Sequence, residues 1–400
     1  MTYPAVNLLL KQMSNAVIRR ALYFFLAFAF LALPAAVAAE EIPWEWLGIE
    51  RIVVIGDLHG DYESFIKILK SPKVGLVDDD LHWIGGKTHF VQTGDIMDRG
   101  DYARDIFDLL MRLEKEAEGA GGMVHVLLGN HEEMNLTGAV FSSNSDSNSD
   151  TMTLDQFISF LPESYRKQQE ESLRKKITKA RVQGRRISEK QSMDAFWNSQ
   201  KKSASVQRLY VLNLNTEYGP WLDRLNVAIK INDVIFVHGG ISEKYSKWGL
   251  KEINDRYRME LTDICRALRN SAPPRIIQAS IVYRGDSPLW YRELATVPEA
   301  DLQEEVDAIL ANLGAKTMII AHTPTIPRTQ SDMQRFGGKV WIVDTGISRV
   351  YRGKATALII QNGYFNVWGL GDEKSNETAP AYPHFSGFHL GSLCPIPAGR

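Results

Sequence analysis

Five short apolar runs in this chain each give way to a glycine or a histidine followed by polar residues, and this recurrence narrows the fold more than any other feature. Arg51-Ile52-Val53-Val54-Ile55 runs into Gly56-Asp57, and His89-Phe90-Val91-Gln92-Thr93 into Gly94-Asp95. Met123 to Leu128 leads to Gly129-Asn130-His131, Val234 to Val237 to His238-Gly239-Gly240, and Thr317 to Ala321 to His322. Short β-branched runs closed by Gly and polar residues predict buried strands with loops at their C-terminal ends. Between them, the apolar spacing of Tyr62–Leu69 and Arg104–Glu118 predicts connecting helices. Strands alternating with helices define an α/β protein. In such folds ligands gather beyond the C-terminal ends of the strands.

Composition removes other classes. Across 400 residues, 44% hydrophobic and 24% charged content excludes wholesale disorder, collagen and a coiled-coil rod. A net charge of −2 provides no global basic field for nucleic acid. The 2 cysteines, Cys265 and Cys394, cannot build a Cys-rich zinc site and make one bridge at most.

The chain divides into unequal parts. Before the first acidic residue, Glu40, lie Lys11, Arg19 and Arg20, an apolar run from Ala21 to Leu33, and a small-residue exit ending at Ala38-Ala39. This pattern predicts a secretory signal over residues 1–39 and a periplasmic, oxidising destination. An uncleaved membrane anchor and an organelle transit peptide are the alternatives, and only the anchor gives a membrane contact. A catalytic domain is expected over 49–370, with a basic helical insertion at about 141–208 and a tail over 371–400. Ser142 to Asp150 is a Ser/Asn/Asp low-complexity loop. From Glu163 to Arg208 there are 13 Lys/Arg against 5 Asp/Glu. That excess reads as a solvated helical surface, or as a basic lid that attracts an anionic substrate.

The chemistry lies in the loops. Each cluster alone has an ordinary reading, since an Asp after a strand caps helices or closes turns and a lone His is usually structural. Together, Asp57 and His59, Asp95 with Asp98 and Arg99, Asn130 and His131, His238, and His322 supply carboxylate, imidazole and amide donors at five strand ends. Those donors suit a pair of borderline-to-hard divalent ions.

In chain order, the motifs GDxHG, GDxxDRG, GNHE, HGG and a final His resemble those of the calcineurin-like metallophosphoesterases, within the phosphoprotein phosphatase superfamily. The resemblance spans Arg51 to Gly369. The segments Tyr283-Arg284-Gly285-Asp286-Ser287-Pro288-Leu289-Trp290-Tyr291 and Asp344-Thr345-Gly346-Ile347-Ser348 look most like the Shewanella-like phosphatase branch. The Ser-Ala-Pro-Asn-Tyr loop common in eukaryotic Ser/Thr phosphatases is absent.

The resemblance implies a two-sheet α/β sandwich flanked by helices. It implies that Asp57, His59 and Asp95 hold one ion, and that Asp95 bridges to a second ion completed by Asn130, His238 and His322. Manganese, iron or zinc would fill the pair, and a hydroxide shared between the ions would attack phosphorus. Arg99 and Arg284, with Asn130, would bind the substrate phosphate, and His131, oriented by Asp98, would protonate the leaving oxygen. The expected activity is phosphomonoester hydrolysis on phosphoprotein or phosphopeptide Ser, Thr or Tyr. The alternative is a phosphodiesterase or dinucleotide-polyphosphate hydrolase built on the same core.

Three further patterns are set aside. The spacing from Cys394 to Arg400 is that of cysteine-dependent phosphatases, but two prolines interrupt it and Leu393 replaces the usual His. Asp344-Thr345-Gly346 reads as a strand-terminating turn rather than half of an aspartic-protease pair. Gly85-Gly86-Lys87-Thr88 lacks the first glycine of a phosphate loop, because Leu81 stands there.

Overall fold

The computed structural model describes residues 42–141, 152–271 and 280–370. The expected leader over 1–39, the Ser142–Asp150 loop, the tail over 371–400 and any Cys265–Cys394 bridge lie outside the described residues. Among the described residues, no helix is long and apolar enough to cross a membrane.

Two sheets carry the fold. One has five strands in the order β11-β10-β2-β3-β4, namely Tyr364–Trp368, Ala357–Gln361, Arg51–Ile55, His89–Gln92 and Met123–Val126. The other has six in the order β1-β5-β6-β7-β9-β8, namely Glu45–Trp46, Ala228–Ile231, Val234–Val237, Thr317–Ile320, Val340–Ile342 and Gln334–Arg335. Within each sheet three neighbouring strands run parallel: β2-β3-β4, with Ile52 opposite His89 and Phe90 opposite Val124, and β6-β7-β9, with Ile235 opposite Met318 and Ile319 opposite Trp341. All five strand-like runs read from the sequence fall in these two parallel sets.

Alternation along the strands explains the layers. Ile52 and Val54 of β2 join Phe236, Ile319 and Trp341 in a core shared by strands of both sheets. Val53 and Ile55 face the other way and pack with Phe65, Ile68 and Phe107 from flanking helices. Both faces of these strands are therefore buried, which is why the runs are continuously apolar. The helix Tyr62–Lys70 begins where the Asp61 carboxylate accepts from the Ser64 amide at 3.0 Å. The helix Ala103–Gly119 buries Ile106, Phe107, Leu110, Leu113 and Ala117, a stripe at three- and four-residue spacing.

The insertion departs from the solvated-surface expectation in part. It contains the helices Leu154–Ser159, Glu163–Val182, Glu189–Lys201 and Ala204–Glu217. Glu163–Val182 buries Ile177 alone and carries exposed ion pairs such as Lys175–Glu171 at 2.6 Å. By contrast, Met152, Phe157, Phe160 and Leu161 belong to the main core, and the Phe157 and Tyr210 rings stack 5.5 Å apart. Aromatic burial draws the base of the insertion into the body of the protein, while its outer helices meet water.

Candidate metal centre

Each expected ligand sits just beyond a parallel strand. Asp57 and His59 follow β2, Asp95 follows β3, and Asn130 and His131 open the helix Asn130–Thr137 after β4. From the other sheet, His238 follows β6 and His322 follows β7. Close backbone approach brings these loops together. A Cβ on Gly129 would lie 2.2 Å from the Asp95 amide nitrogen, and one on Gly56 would lie 2.3 Å from the Val343 carbonyl of the opposite sheet. Five site residues adopt left-handed backbone: His59, Asp95, Asp98, Arg99 and His322, with φ from 44° to 69°. For a non-glycine residue each such conformation stores about 1–3 kcal/mol, strain that clusters at functional sites.

Carbonyl partners fix which ring nitrogens face the cluster. The His238 Nδ1 lies 2.9 Å from the Thr93 carbonyl, and His59 Nδ1 lies 2.8 Å from the Met97 carbonyl. A carbonyl only accepts, so each Nδ1 carries hydrogen and each Nε2 is left toward the cluster. His238 Nε2 then faces Asn130 Oδ1 at 3.0 Å and Asp95 Oδ1 at 3.3 Å. His59 Nε2 faces Asp95 Oδ2 at 3.7 Å and Asp57 Oδ2 at 4.0 Å. The Nε2 of His322 is buried with no hydrogen-bond partner among the described residues.

Electrostatics point the same way. Burial, together with the Asp344 and Asp95 charges, pushes the Asp57 carboxyl well above the usual range. Burial also opposes ionisation of Asp95, but the His238 and His131 charges overcome it and hold that carboxyl well below the usual range. Burial drives both His59 and His322 well below the ordinary imidazole value, so both rings are neutral at pH 7. Converging imidazole nitrogens, crowded buried carboxylates and an unpartnered Nε2 on His322 form a set that fits divalent cations. Two triads have ligand atoms mutually within 4.8 Å: His59, Asp95 and His131, and Asp95, His238 and His322. Asp95 belongs to both, and the first triad holds His131 where Asp57 was expected.

His131 is held differently. Its Nδ1 donates to Asp98 Oδ2 at 2.6 Å, which leaves Nε2 toward the cluster, 3.8 Å from Asp95 Oδ2. Burial lowers its pKa, but Asp95 and Asp98 outweigh burial and raise it, so the ring keeps its proton to higher pH. That is the state a general acid needs. Beneath the loops, the buried Glu132 carboxylate accepts from the backbone amides of Asp95, Ile96, Met97 and Gly129 at 2.9 to 3.0 Å. The GNHE motif displayed this residue, but its role as a backbone clamp needed the fold to show it.

One sequence reading is corrected and another is extended. Arg284 is exposed and its Nε donates to Asp286 at 2.9 Å; that pairing, shared with Lys244, keeps it in a surface network. Arg292 instead reaches the site, donating to the His322 carbonyl at 2.8 Å and coupling electrostatically to Asp95, Asp57 and Asp344. Asp344 does close a turn, accepting from the Gly346 amide at 3.0 Å, but its buried carboxyl also lies against Asp57. Burial and the Asp95 charge push it up to about 6. Arg99 donates to His59 Nε2 and lies 4.9 Å from the centre of the Tyr351 ring, which walls the same side.

A fold of two packed sheets with a buried histidine–carboxylate cluster at their facing strand ends defines a metal-dependent phosphoesterase. The sequence model of the calcineurin-like phosphoesterase family matches residues 50–325, and the chain belongs to that family. It is 26% identical over 307 residues to Shewanella-like protein phosphatase 1 of Plasmodium berghei, covering 76% of this chain and 68% of the relative. Shewanella-like protein phosphatase 2 of Arabidopsis thaliana is 27% identical over 290 residues, 68% of this chain and 66% of the relative. Among solved structures it resembles the cold-active protein-tyrosine phosphatase of a psychrophile Shewanella species, at 27% identity, a TM-score of 0.54 and 82% of each chain. A second structure of a cold-active protein tyrosine phosphatase gives 26% identity and a TM-score of 0.55, over 85% of this chain and 83% of the other.

Proposed function

We propose that this protein removes phosphate from phosphorylated serine, threonine or tyrosine side chains of proteins, using two divalent ions, with manganese the first to test. The observation that carries the reading is the convergence of Asp57, His59, Asp95, Asn130, His238 and His322 beside the acid His131. The relatives named as protein phosphatases support the substrate class. When bound, the ions supply a nucleophilic water at neutral pH and draw charge from the phosphoryl oxygens.

The protein's own groups do the rest. Arg99 and Arg292 offer guanidinium donors to the phosphoryl oxygens, whose charge grows during transfer. His131 Nε2 gives its proton to the departing oxygen, and Asp98 holds the ring through Nδ1. Glu132 holds the loop amides so that Asp95 does not shift during turnover. The acid-free segment before Glu40 supports export to the periplasm, which N-terminal sequencing of the mature protein tests.

Purified protein loaded with Mn²⁺ is expected to hydrolyse p-nitrophenyl phosphate and phosphopeptides. His131→Ala is expected to lose about 10²–10⁴ of the rate while retaining metal. A faster rate on dinucleotide polyphosphates than on phosphopeptides would overturn the substrate assignment. Full activity in metal-stripped protein would overturn the reading as a whole.

A further inference from the structure

The base of the helical insertion reaches the catalytic acid. Thr153 Oγ1 accepts from the Gln156 amide at 3.1 Å and donates to the Gly100 carbonyl at 3.3 Å. At the other end of the helix Leu154–Ser159, Arg104 Nη1 donates to the Ser159 carbonyl at 2.7 Å. The helix is thus pinned at both ends to the stretch that carries Asp98 and Arg99. Gln156, fully buried between these pins, makes two bonds to a single residue. Its Oε1 accepts from the Asp98 amide at 2.6 Å, and its Nε2 donates to Asp98 Oδ1 at 2.9 Å.

The rest of the network closes around the same carboxylate. Asp98 Oδ2 accepts from His131 Nδ1 at 2.6 Å and from Asn135 Nδ2 at 2.9 Å. The Tyr210 hydroxyl donates to Asn135 Oδ1 at 2.7 Å and lies 3.5 Å from Gln156 Nε2. Gln156, Asn135 and Tyr210 are fully buried, so no water competes for these bonds. Asp98 itself has a backbone φ of 69°, a conformation its surroundings must hold in place.

We propose that Gln156 is a positioning residue for proton transfer. By gripping both the amide and the carboxylate of Asp98, it sets the rotation of that carboxylate and hence the aim of His131 Nε2. The inference rests on the reading of His131 as general acid. It also assigns the insertion a part in substrate selection. An alkyl leaving group, as in phosphoserine, departs poorly without a proton, whereas an aryl oxide such as p-nitrophenolate is far less dependent on one. The Gln156 clamp therefore matters most for serine and threonine phosphates.

Gln156→Glu keeps the side-chain shape and the acceptor for the Asp98 amide, but replaces the donor with a carboxylate facing Asp98. With Mn²⁺-loaded full-length protein, kcat on a phosphoserine peptide is expected to fall at least about tenfold further than kcat on p-nitrophenyl phosphate, consistent with loss of part of a general-acid effect. KM and bound metal stay level. In proton NMR of zinc-loaded protein, the far-downfield Nδ1 proton of His131 is expected to move in Gln156→Glu and to vanish in His131→Ala. Equal losses on the two substrates, no loss, or an unmoved Nδ1 proton would overturn the inference. If Gln156→Glu does not fold, Tyr210→Phe removes one hydroxyl without altering ring packing. It is expected to show the same substrate split at smaller size, and an even loss would count against the clamp. His131→Ala keeps the two readings apart. Without a leaving-group split there, the general-acid assignment fails; with a split there and none in Gln156→Glu, the clamp alone fails.

Discussion

The base and the outer helices of the insertion adjoin in sequence yet do different work. The base, from Met152 to Leu161 with Tyr210, buries aromatic rings against Phe107 and Tyr218 and delivers Gln156 to the acid. The outer helix Glu163–Val182 buries Ile177 and pairs its charges at the surface, Lys175 with Glu171 on the same helix and Arg174 with Glu189 of the next. A charge count averages over the two and describes only the outer one. What separates them is the spacing of a few aromatic residues, which decides where the chain turns inward.

The largest stability effect should fall on the base. Phe157→Ala removes a fully buried ring stacked on Tyr210 and is expected to destabilise the fold by about 3–5 kcal/mol in chemical denaturation. A loss within experimental error would break the contrast. Tyr210→Phe leaves Asn135 Oδ1 without its donor, and a loss of about 1–3 kcal/mol is expected by the same measurement.

Two carboxylates sharpen the comparison through pH. Glu133, buried below the site near Tyr257 and Trp290, has its carboxyl pushed up to about 8, burial being the main cause. A carboxyl raised in the folded state stays protonated there while the unfolded chain ionises, so stability drains away as pH rises from the unfolded value toward 8. Glu133→Gln is therefore expected to gain melting temperature over the native chain at pH 8 relative to pH 5. A constant difference across that range would contradict the burial argument. Glu171, exposed beside Lys175 on the outer helix, is the opposite case. Glu171→Gln is expected to leave the melting temperature unmoved at either pH.

The strand ends and the six candidate ligand positions were legible because short buried parallel strands leave an unbroken apolar signature, and because unusual polar residues sat where each one stopped. Asp344 was not legible. Its strand, Val340–Ile342, is too brief to stand out, and its turn role is real, so the carboxyl's second role against Asp57 appears only when the sheets close. Arg284 lies inside one motif and Arg292 directly follows it, and sequence alone could not reveal that Asp286 and Lys244 hold the first at the surface. Gln156 left no signal of its own, since its partner Asp98 is 58 residues away.

Metal analysis of the purified, Mn²⁺-loaded protein, paired with its phosphatase rate, probes the dinuclear centre most directly. The account predicts about two ions per chain, as in other two-metal hydrolases, with both ions and rate lost together in Asp95→Ala. An Asp95→Ala protein that keeps its ions and its rate, or a native chain that turns over fully after exhaustive chelation, would contradict it.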